Sequence, residues 1–227
     1  MANYDPFCIN VWSGPRCIST SLMYSFAQRD DTKVVDEPLY AHYLRVTGAE
    51  RPYREQVLKE QNQDGNEVVA ELLGKRDKKV LYAKHMAKQL IELTPRLVNE
   101  GRHVILIRDP VDLLPSFAKV VTPTLEETCL PSLCALYSEL RSKGRAPPVI
   151  ISSELQADPE GILRALCAEL DLEFDPKMLK WEAGARPEDG CWAPWWYANT
   201  HKSTGFEAPA GSKKAPLSPE LNAILEE

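Results

Sequence analysis

Short apolar runs alternate with segments of helical periodicity along most of the chain. Each run contains β-branched or aromatic residues and ends at a turn residue or a charged residue, as β-strands do. The five runs are residues 7–12, 33–37, 79–84, 103–107 and 148–152. Apolar residues at i, i+3 and i+4 predict helices at residues 19–28, 86–99 (with an interruption near 94), 111–120, 124–143 and 158–170. The alternation predicts an α/β fold, namely a doubly wound parallel sheet of about five strands.

Two segments depart from this alternation. Residues 41–78 are polar with interspersed charges, and they predict one or two solvated helices, around 53–61 and 67–73, that form a polar cover. Residues 175–211 are rich in Gly, Pro and Trp, which predicts an irregular segment lying over the sheet and the site. The length of 227 residues suits one large domain, so we expect a single domain over residues 1–227.

The composition indicates a globular protein with an acidic balance. Hydrophobic residues make up 44% of the chain and the mean hydropathy is −0.33, so a full core is expected. No apolar run approaches the roughly 18 residues of a membrane helix, and the first residues lack the basic and hydrophobic regions of a signal peptide. We therefore expect a cytoplasmic protein without a membrane partner. The net charge of −6 argues against a nucleic-acid partner, so any anionic ligand must be held by local cations.

The cysteine pattern favours reduced thiols. No CxxC pair occurs and no His stands at metal-finger spacing, which argues against a disulfide framework or a metal site. We expect mostly buried thiols, and we single out Cys17 because a helix N-terminus lowers the pKa of a thiol. The six cysteines are Cys8, Cys17, Cys129, Cys134, Cys167 and Cys191.

The turn between the first strand and the following helix is a candidate anion site. A helix N-terminus offers free N–H groups and the positive end of the helix dipole, and Arg16 adds a fixed cation. An ordinary strand-to-helix connection has the same pattern, so the turn alone names no ligand. A Walker A loop is excluded, since it needs a second Gly and a Lys. The candidate residues are Gly14, Pro15, Arg16, Cys17, Ile18, Ser19, Thr20 and Ser21.

The stretch PRCISTS resembles, position by position, the PKSGTTW-type loop of sulfotransferases that use 3′-phosphoadenosine 5′-phosphosulfate (PAPS). The resemblance implies that the loop holds the 5′-phosphosulfate, with Arg16 at the family's Lys and with Ser19 and Thr20 at its paired Thr. Cys17 and Ile18 replace a Ser–Gly pair. Without that Gly we expect a negative φ at Ile18 and a less close approach of the backbone to the phosphate.

A second resemblance lies at the end of the fourth predicted strand. RDPVDLLPS places Arg108 and Ser116 eight residues apart, the spacing of the Arg and Ser that grip the 3′-phosphate in the PAPS-dependent enzymes. An Arg leaving a strand and a Ser two turns into the next helix can face one phosphate. Alternatively, Arg108 pairs with Asp109 or Asp112 and Ser116 faces its own helix.

Weaker resemblances extend to the C-terminal part. VIISSELQADPEGILRALCAELDLEF is similar to a structural stretch of the same family. SGPRCISTSLMYSFAQR and WWYANTHKSTGF are similar to small plant, algal and bacterial sulfotransferase-like proteins, some of which carry a branched-chain-aminotransferase-like name because of a fused neighbour. The family's RKGxxG segment is missing here, and the nearest substitutes for its phosphate contacts are Lys202, Ser203 and Thr204.

The family resemblance implies transfer of a sulfuryl group from PAPS to a hydroxyl or amine of a small-molecule acceptor, with adenosine 3′,5′-bisphosphate (PAP) as product and no metal. In-line transfer needs a base for the acceptor's proton and positive charge at the leaving oxygen. Arg16 would stabilise the leaving group. Glu37, at a strand end, and His85, in a segment resembling the family's KTH, are the two candidate bases. Lys84 is the cationic neighbour of His85.

Two other functions stay open at this point. One is a Mg²⁺-dependent P-loop kinase, against which the missing Walker Lys counts. The other is a non-catalytic module that binds PAP, PAPS or a partner protein, since the loop Gly and RKGxxG are absent. The oligomeric state is not indicated. A group of aromatic residues near the C-terminus has two possible roles, as the wall of a pocket or as a packed subdomain core. These residues are Trp181, Trp192, Trp195, Trp196, Tyr197 and Phe206.

Overall fold

The computed structural model describes residues 7–208 and 217–226. Five strands form one sheet in the order β2-β3-β1-β4-β5, and every neighbouring pair is parallel. The strands are β1 (Cys8–Ser13), β2 (Thr32–Asp36), β3 (Val80–Met86), β4 (Arg102–Ile107) and β5 (Val149–Ile151). The α/β fold with a parallel sheet of five strands is therefore confirmed. Because all strands run in one direction, their carboxyl ends share one edge, where open α/β sheets bind ligands.

Helices cover both faces of this sheet. They are α1 (Ser19–Ala27), α2 (Tyr40–Thr47), α3 (Arg54–Glu60), α4 (Gly65–Leu72), α5 (Arg96–Glu100), α6 (Pro110–Ala118), α7 (Leu130–Ser142), α8 (Ser152–Ala157), α9 (Pro159–Glu169), α10 (Ala193–Trp196) and α11 (Pro219–Glu226). Side chains of β1 alternate between two cores. Ile9 and Val11 pack with α1, α6 and α9, whereas Cys8 and Trp12 pack with α4, α5 and α7. The sheet is therefore doubly wound.

A third apolar cluster joins two segments that are distant in sequence. Tyr40 and Leu44 of α2 and Val57 of α3 pack against Trp192 and Tyr197 from the C-terminal part. The polar region thus contains α3 and α4 near their predicted positions, and it also contains α2, whose polar pattern gave no signal. None of the described helices is long and apolar enough to span a lipid bilayer.

The predictions for two helices need correction. The predicted helix over 86–99 is a 3₁₀ turn at Ala87–Gln89 followed by α5, because β3 extends to residue 86 and Pro95 allows a helix to start only there. The predicted helix over 124–143 begins as a 3₁₀ turn at Glu126–Thr128 before α7. The segment over 175–211 contains short 3₁₀ turns and α10, and its residues 209–211 lie outside the described residues.

Candidate active site

The loop between β1 and α1 has an unusual backbone. Arg16 and Ile18 both adopt left-handed conformations, with φ of 60° and 56°. The expected negative φ at Ile18 is therefore wrong: Ile18 takes the conformation that a Gly would take, although a β-branched residue disfavours it. Gly14 is required for a different reason, since a Cβ there would lie 2.3 Å from the Thr128 carbonyl oxygen. The loop is thus held close to the 3₁₀ turn at Glu126–Thr128.

Helix α1 starts at this loop without a side-chain cap. Ile18 is its N-cap residue and supplies no capping oxygen, so among the described residues no N-cap side chain binds the first-turn N–H groups of α1, which can bind a ligand. Left-handed turns that expose successive N–H groups also form anion-binding concavities. Ser19, Thr20 and Ser21 line a cavity that the loop residues from Gly14 to Ile18 also line.

Cys17 does not behave as the sequence suggested. Its side chain is 1% exposed and its thiol donates to the Pro15 carbonyl oxygen at 3.4 Å. Burial raises the pKa of the Cys17 thiol to about 12, so the expected lowering is wrong. Desolvation outweighs the helix dipole here. We conclude that Cys17 fills the base of the loop and stays protonated.

The structure brings Arg16, Arg108 and Ser116 together. Arg16 Nε donates to Ser116 Oγ at 3.2 Å, and Arg108 Nη1 donates to the Arg16 carbonyl oxygen at 2.8 Å. Asp109 instead caps α6 by accepting from the Val111 N–H. Arg108 therefore bonds to the loop, so that loop and strand end form one unit.

The two guanidinium groups form a positively charged patch. Within residues 7–208 and 217–226, neither Arg16 nor Arg108 forms a salt bridge with a described carboxylate. Partial burial and then the nearby charge of Arg108 lower the pKa of Arg16. Two like charges side by side repel each other, and a bound anion would relieve that repulsion.

A buried carboxylate lines the same cavity as the two arginines. Glu37 follows β2 with a φ of 42°, and its side chain is 10% exposed. Oε1 accepts from Lys84 Nζ at 2.7 Å and Oε2 accepts from Gln89 Nε2 at 2.7 Å. Each carboxylate oxygen has two lone pairs, so both oxygens keep a free acceptor position.

Lys84 is the centre of a buried polar network. Its Nζ also donates to Asp36 Oδ1 at 2.7 Å and to the Tyr197 hydroxyl at 2.8 Å. Burial acts to lower the pKa of Lys84, but Asp36 and Glu37 together raise it well above its usual value. Lys84 is therefore an ammonium ion that fixes Glu37 in place.

His85 points away from this network. Successive residues of a strand face opposite sides, so Lys84 and Met86 face the cavity and His85 faces the other core. The His85 ring stacks on Trp12 with centroids 4.3 Å apart, and its Nε2 bonds to Asn10 Oδ1 at 3.0 Å. Burial lowers the pKa of His85 to about 3. The structure thus does not bring His85 to the cavity that contains Glu37.

A single cavity of about 290 Å³ connects the loop, the arginines and Glu37. The C-terminal segment forms one wall with Trp192, Trp196, Tyr197, Ser203 and Phe206. Of the three residues predicted to contact a phosphate in this segment, Ser203 lines the cavity, whereas Lys202 and Thr204 do not. Trp181 instead packs in a core against Tyr24, and Trp195 is 54% exposed. The aromatic group is therefore divided between pocket wall, core and surface.

Sequence reasoning missed several cavity residues that belong to no motif. They lie in or next to the polar cover, at the end of β3 and in the 3₁₀ turn after it, and each is a single residue in a polar context. Only their shared position in the folded chain connects them. These residues are Tyr40, Arg51, Met86, Lys88 and Gln89.

Comparison with known proteins identifies the family. A family model described as a sulfotransferase domain matches residues 7–221. The chain belongs to the sulfotransferase family. This confirms the resemblance seen in the loop and strand-end motifs.

Two curated relatives of this sulfotransferase domain come from Arabidopsis thaliana. Branched-chain-amino-acid aminotransferase-like protein 1 is 52% identical over 214 residues, which are 93% of this chain and 38% of the relative. Branched-chain-amino-acid aminotransferase-like protein 2 is 51% identical over 203 residues, which are 88% of this chain and 36% of the relative. The chain therefore spans little more than a third of the length of either protein.

Two solved structures share the fold of this sulfotransferase domain. The sulfotransferase domain from the Synechococcus PCC 7002 olefin synthase has a TM-score of 0.61 at 14% identity, covering 100% of this chain and 95% of that one. The sulfotransferase domain from the curacin biosynthetic pathway has a TM-score of 0.60 at 15% identity, covering 98% and 97%. At these identities the likeness shows the fold alone.

Proposed function

We propose that this sulfotransferase domain transfers the sulfuryl group of PAPS to a hydroxyl or amine of a small-molecule acceptor, without a metal ion. One observation carries the proposal: Arg16 and Arg108 form a cationic patch in the cavity that also contains Glu37, and Arg16 is hydrogen-bonded to Ser116. An anion-binding end and a fixed carboxylate in one cavity are the two parts that sulfuryl transfer requires.

The donor groups fit PAPS by their chemistry. PAPS carries a 5′-phosphosulfate and a 3′-phosphate, and the cavity offers the N-terminal N–H groups of α1, hydroxyl groups and two guanidinium groups, of which Arg16 is hydrogen-bonded to Ser116. In this proposal the β1–α1 loop and Arg16 hold the 5′-phosphosulfate, whereas Arg108 and Ser116 hold the 3′-phosphate. Charge-assisted hydrogen bonds of this kind give both affinity and orientation.

The proposed reaction is a direct displacement at sulfur. The acceptor oxygen or nitrogen forms a bond to sulfur while the bond from sulfur to the 5′-phosphate oxygen breaks. Glu37 takes the acceptor's proton through a free lone pair, and PAP leaves with the bonding electrons. Arg16 stabilises the negative charge that develops on the leaving oxygen. Lys84 and Gln89 keep the Glu37 carboxylate oriented throughout.

Binding and turnover together test this function. We expect PAP to bind at least about tenfold more tightly than AMP in calorimetry, because a charge-assisted contact contributes about 1.5–3 kcal/mol. Equal affinities would contradict the proposal. The protein is then incubated with a metabolite pool in EDTA or in Mg²⁺, with sulfur-labelled PAPS in one set of reactions and with γ-phosphate-labelled ATP in another. Transfer in EDTA supports a sulfotransferase, transfer of phosphate only in Mg²⁺ indicates a kinase, and PAP binding without any transfer indicates a non-catalytic module.

A further inference from the structure

Two cations of the cavity wall have no part in the proposed donor site or base. Arg51 lies between α2 and α3 in the cover, and Lys88 lies in the 3₁₀ turn after β3. Both bind one carboxylate: Arg51 Nη2 lies 2.5 Å from Glu127 Oε1, and Lys88 Nζ lies 2.5 Å from Glu127 Oε2. Two positive charges thus share one negative charge, which leaves a net charge of about +1 if all three are ionised.

This basic pair, Arg51 and Lys88, lies on the Glu37 side of the cavity. Lys88 is adjacent in the chain to Gln89, whose side chain donates to Glu37 Oε2. Tyr40 interacts electrostatically with both groups. Burial raises the pKa of the Tyr40 phenol, the charge of Glu37 raises it further, and the charge of Arg51 acts to lower it. Glu37 and the basic pair therefore line the same cavity, and Tyr40 interacts with both Glu37 and Arg51.

The three side chains of this cluster are neither buried nor fully solvated. Arg51, Lys88 and Glu127 have side-chain exposures of 24%, 17% and 23%. Glu127 is held beside the loop, because the Thr128 carbonyl oxygen lies against Gly14. A carboxylate of the chain itself therefore occupies the position that a carboxylate of a ligand would take between the two cations. A guanidinium fork and an ammonium suit such a planar anion.

Resting on the proposed function, we propose that Arg51 and Lys88 form an acceptor subsite for a carboxylate. The acceptor is then a small hydroxy acid or amino acid whose hydroxyl or amine faces Glu37 while its carboxylate binds the basic pair. Glu127 competes with that carboxylate for the same two cations. The alternative is a purely structural cluster that fastens the cover to the loop.

The direction in which three substitutions change acceptor binding distinguishes an acceptor subsite from a purely structural cluster. In an acceptor subsite, Arg51→Gln and Lys88→Gln weaken acceptor binding, whereas Glu127→Gln strengthens it by removing the competitor. In a purely structural cluster, all three substitutions remove the same contact and change acceptor binding in the same direction. Lys59→Gln is the matched control, since it removes one exposed positive charge from α3 outside the cavity.

The experiment is calorimetry on the PAP-saturated protein with lactate, serine and mandelate, each compared with its primary amide. We expect at least one carboxylate to bind roughly tenfold more tightly than its amide, with that preference lost in Arg51→Gln and Lys88→Gln and increased in Glu127→Gln. Lys59→Gln should match the unsubstituted protein. Melting temperatures of all variants are recorded in parallel to detect a purely structural role of the cluster.

Three results would overturn the proposal. They are equal binding of carboxylate and amide in every pair, weakening by all three substitutions together, and no binding of any carboxylate by a protein that binds PAP. Failure to bind PAP at all is a different result, because it removes the proposed function itself.

Discussion

The Tyr197 hydroxyl donates to Asp36 Oδ2 at 2.7 Å, which links the C-terminal segment to the end of β2. The same hydroxyl accepts from Lys84 Nζ at 2.8 Å and from Trp192 Nε1 at 3.1 Å. Lys84 in turn donates to Glu37. The position of the proposed base therefore depends on a residue that lies 160 positions further along the chain (197 − 37).

Replacing Tyr197 with Phe should affect both stability and transfer. The substitution leaves buried donors and an acceptor with one partner fewer, and we expect a loss of about 1–3 kcal/mol in the free energy of unfolding. Sulfuryl transfer should fall more than PAP affinity, because Lys84 is no longer held on both sides. Urea unfolding and turnover of labelled PAPS measure the two effects.

Tyr82→Phe is a matched control for this prediction. Tyr82 is fully buried, and its hydroxyl has no hydrogen-bond partner in the described part of the chain. Its removal should leave stability unchanged or slightly increased. Equal losses in the two variants would mean that removal of any buried hydroxyl has this effect, and that the network at Lys84 does not explain the effect of Tyr197→Phe.

Removing Arg108 should abolish discrimination between PAP and AMP. Arg108 is half-buried at the carboxyl end of β4 and bonds only to the loop among the described residues, so we expect little change in melting temperature. Loss of a charge-assisted contact should lower PAP affinity about 10- to 150-fold and leave AMP affinity nearly unchanged. Calorimetry with both nucleotides measures this.

Arg141→Ala controls for net charge, because Arg141 is exposed on α7. It should leave both affinities unchanged. A large drop in the melting temperature of Arg108→Ala would instead assign Arg108 a structural role, since its contact with the Arg16 carbonyl oxygen helps to hold the left-handed turn.

The fold and the proximity of Arg16, Arg108 and Ser116 could be predicted from the sequence, because both depend on the order of local elements along the chain. Apolar runs locate the five strands, and Arg108 and Ser116 are held at fixed spacing by one strand end and one helix. Arg51, Lys88 and Gln89 could not be predicted, because each reaches the cavity through tertiary packing alone. The same holds for the contact between Tyr197 and Asp36.

The errors have physical causes at particular residues. At Ile18, closure of the loop overrides the local preference for negative φ. At Cys17, burial outweighs the helix N-terminus. At His85, the alternation of a strand decides the face: Lys84 enters the cavity, so the next residue cannot. Each outcome depends on the surroundings of the residue rather than on its type.

Stability should fall as the pH is lowered below about 6.5. His85 and His103 stay neutral in the folded state, because burial lowers their pKa values to about 3 and about 4. Between those values and the unfolded pKa of about 6.5, the unfolded state binds more protons, so stability rises with pH. Each His contributes up to about 1.4 kcal/mol per pH unit in that range.

Asp36 acts in the opposite direction. Burial raises the pKa of Asp36, so its protonation favours the folded state at low pH and its contribution decreases as the pH rises. Urea unfolding at pH 4.5, 5.5 and 6.5 measures the sum. We expect His85→Gln to reduce the slope in this range, and an unchanged slope would mean that the buried His85 ring does not control it.

The final prediction concerns the proton acceptor. Glu37→Gln keeps the shape and hydrogen-bonding reach of the side chain but removes its basicity, so transfer should fall about 10²- to 10⁴-fold while PAP affinity barely changes. His85→Gln should slow transfer far less, because His85 stacks on Trp12 in the other core. Its effect should appear in stability instead, since it removes the bond to Asn10. Single-turnover transfer to an acceptor that the unsubstituted protein sulfates, corrected for the folded fraction of each variant, measures the effects of both substitutions. The reverse ranking after that correction would assign the role to His85, and unchanged transfer in both variants would remove both residues from the proton-transfer step.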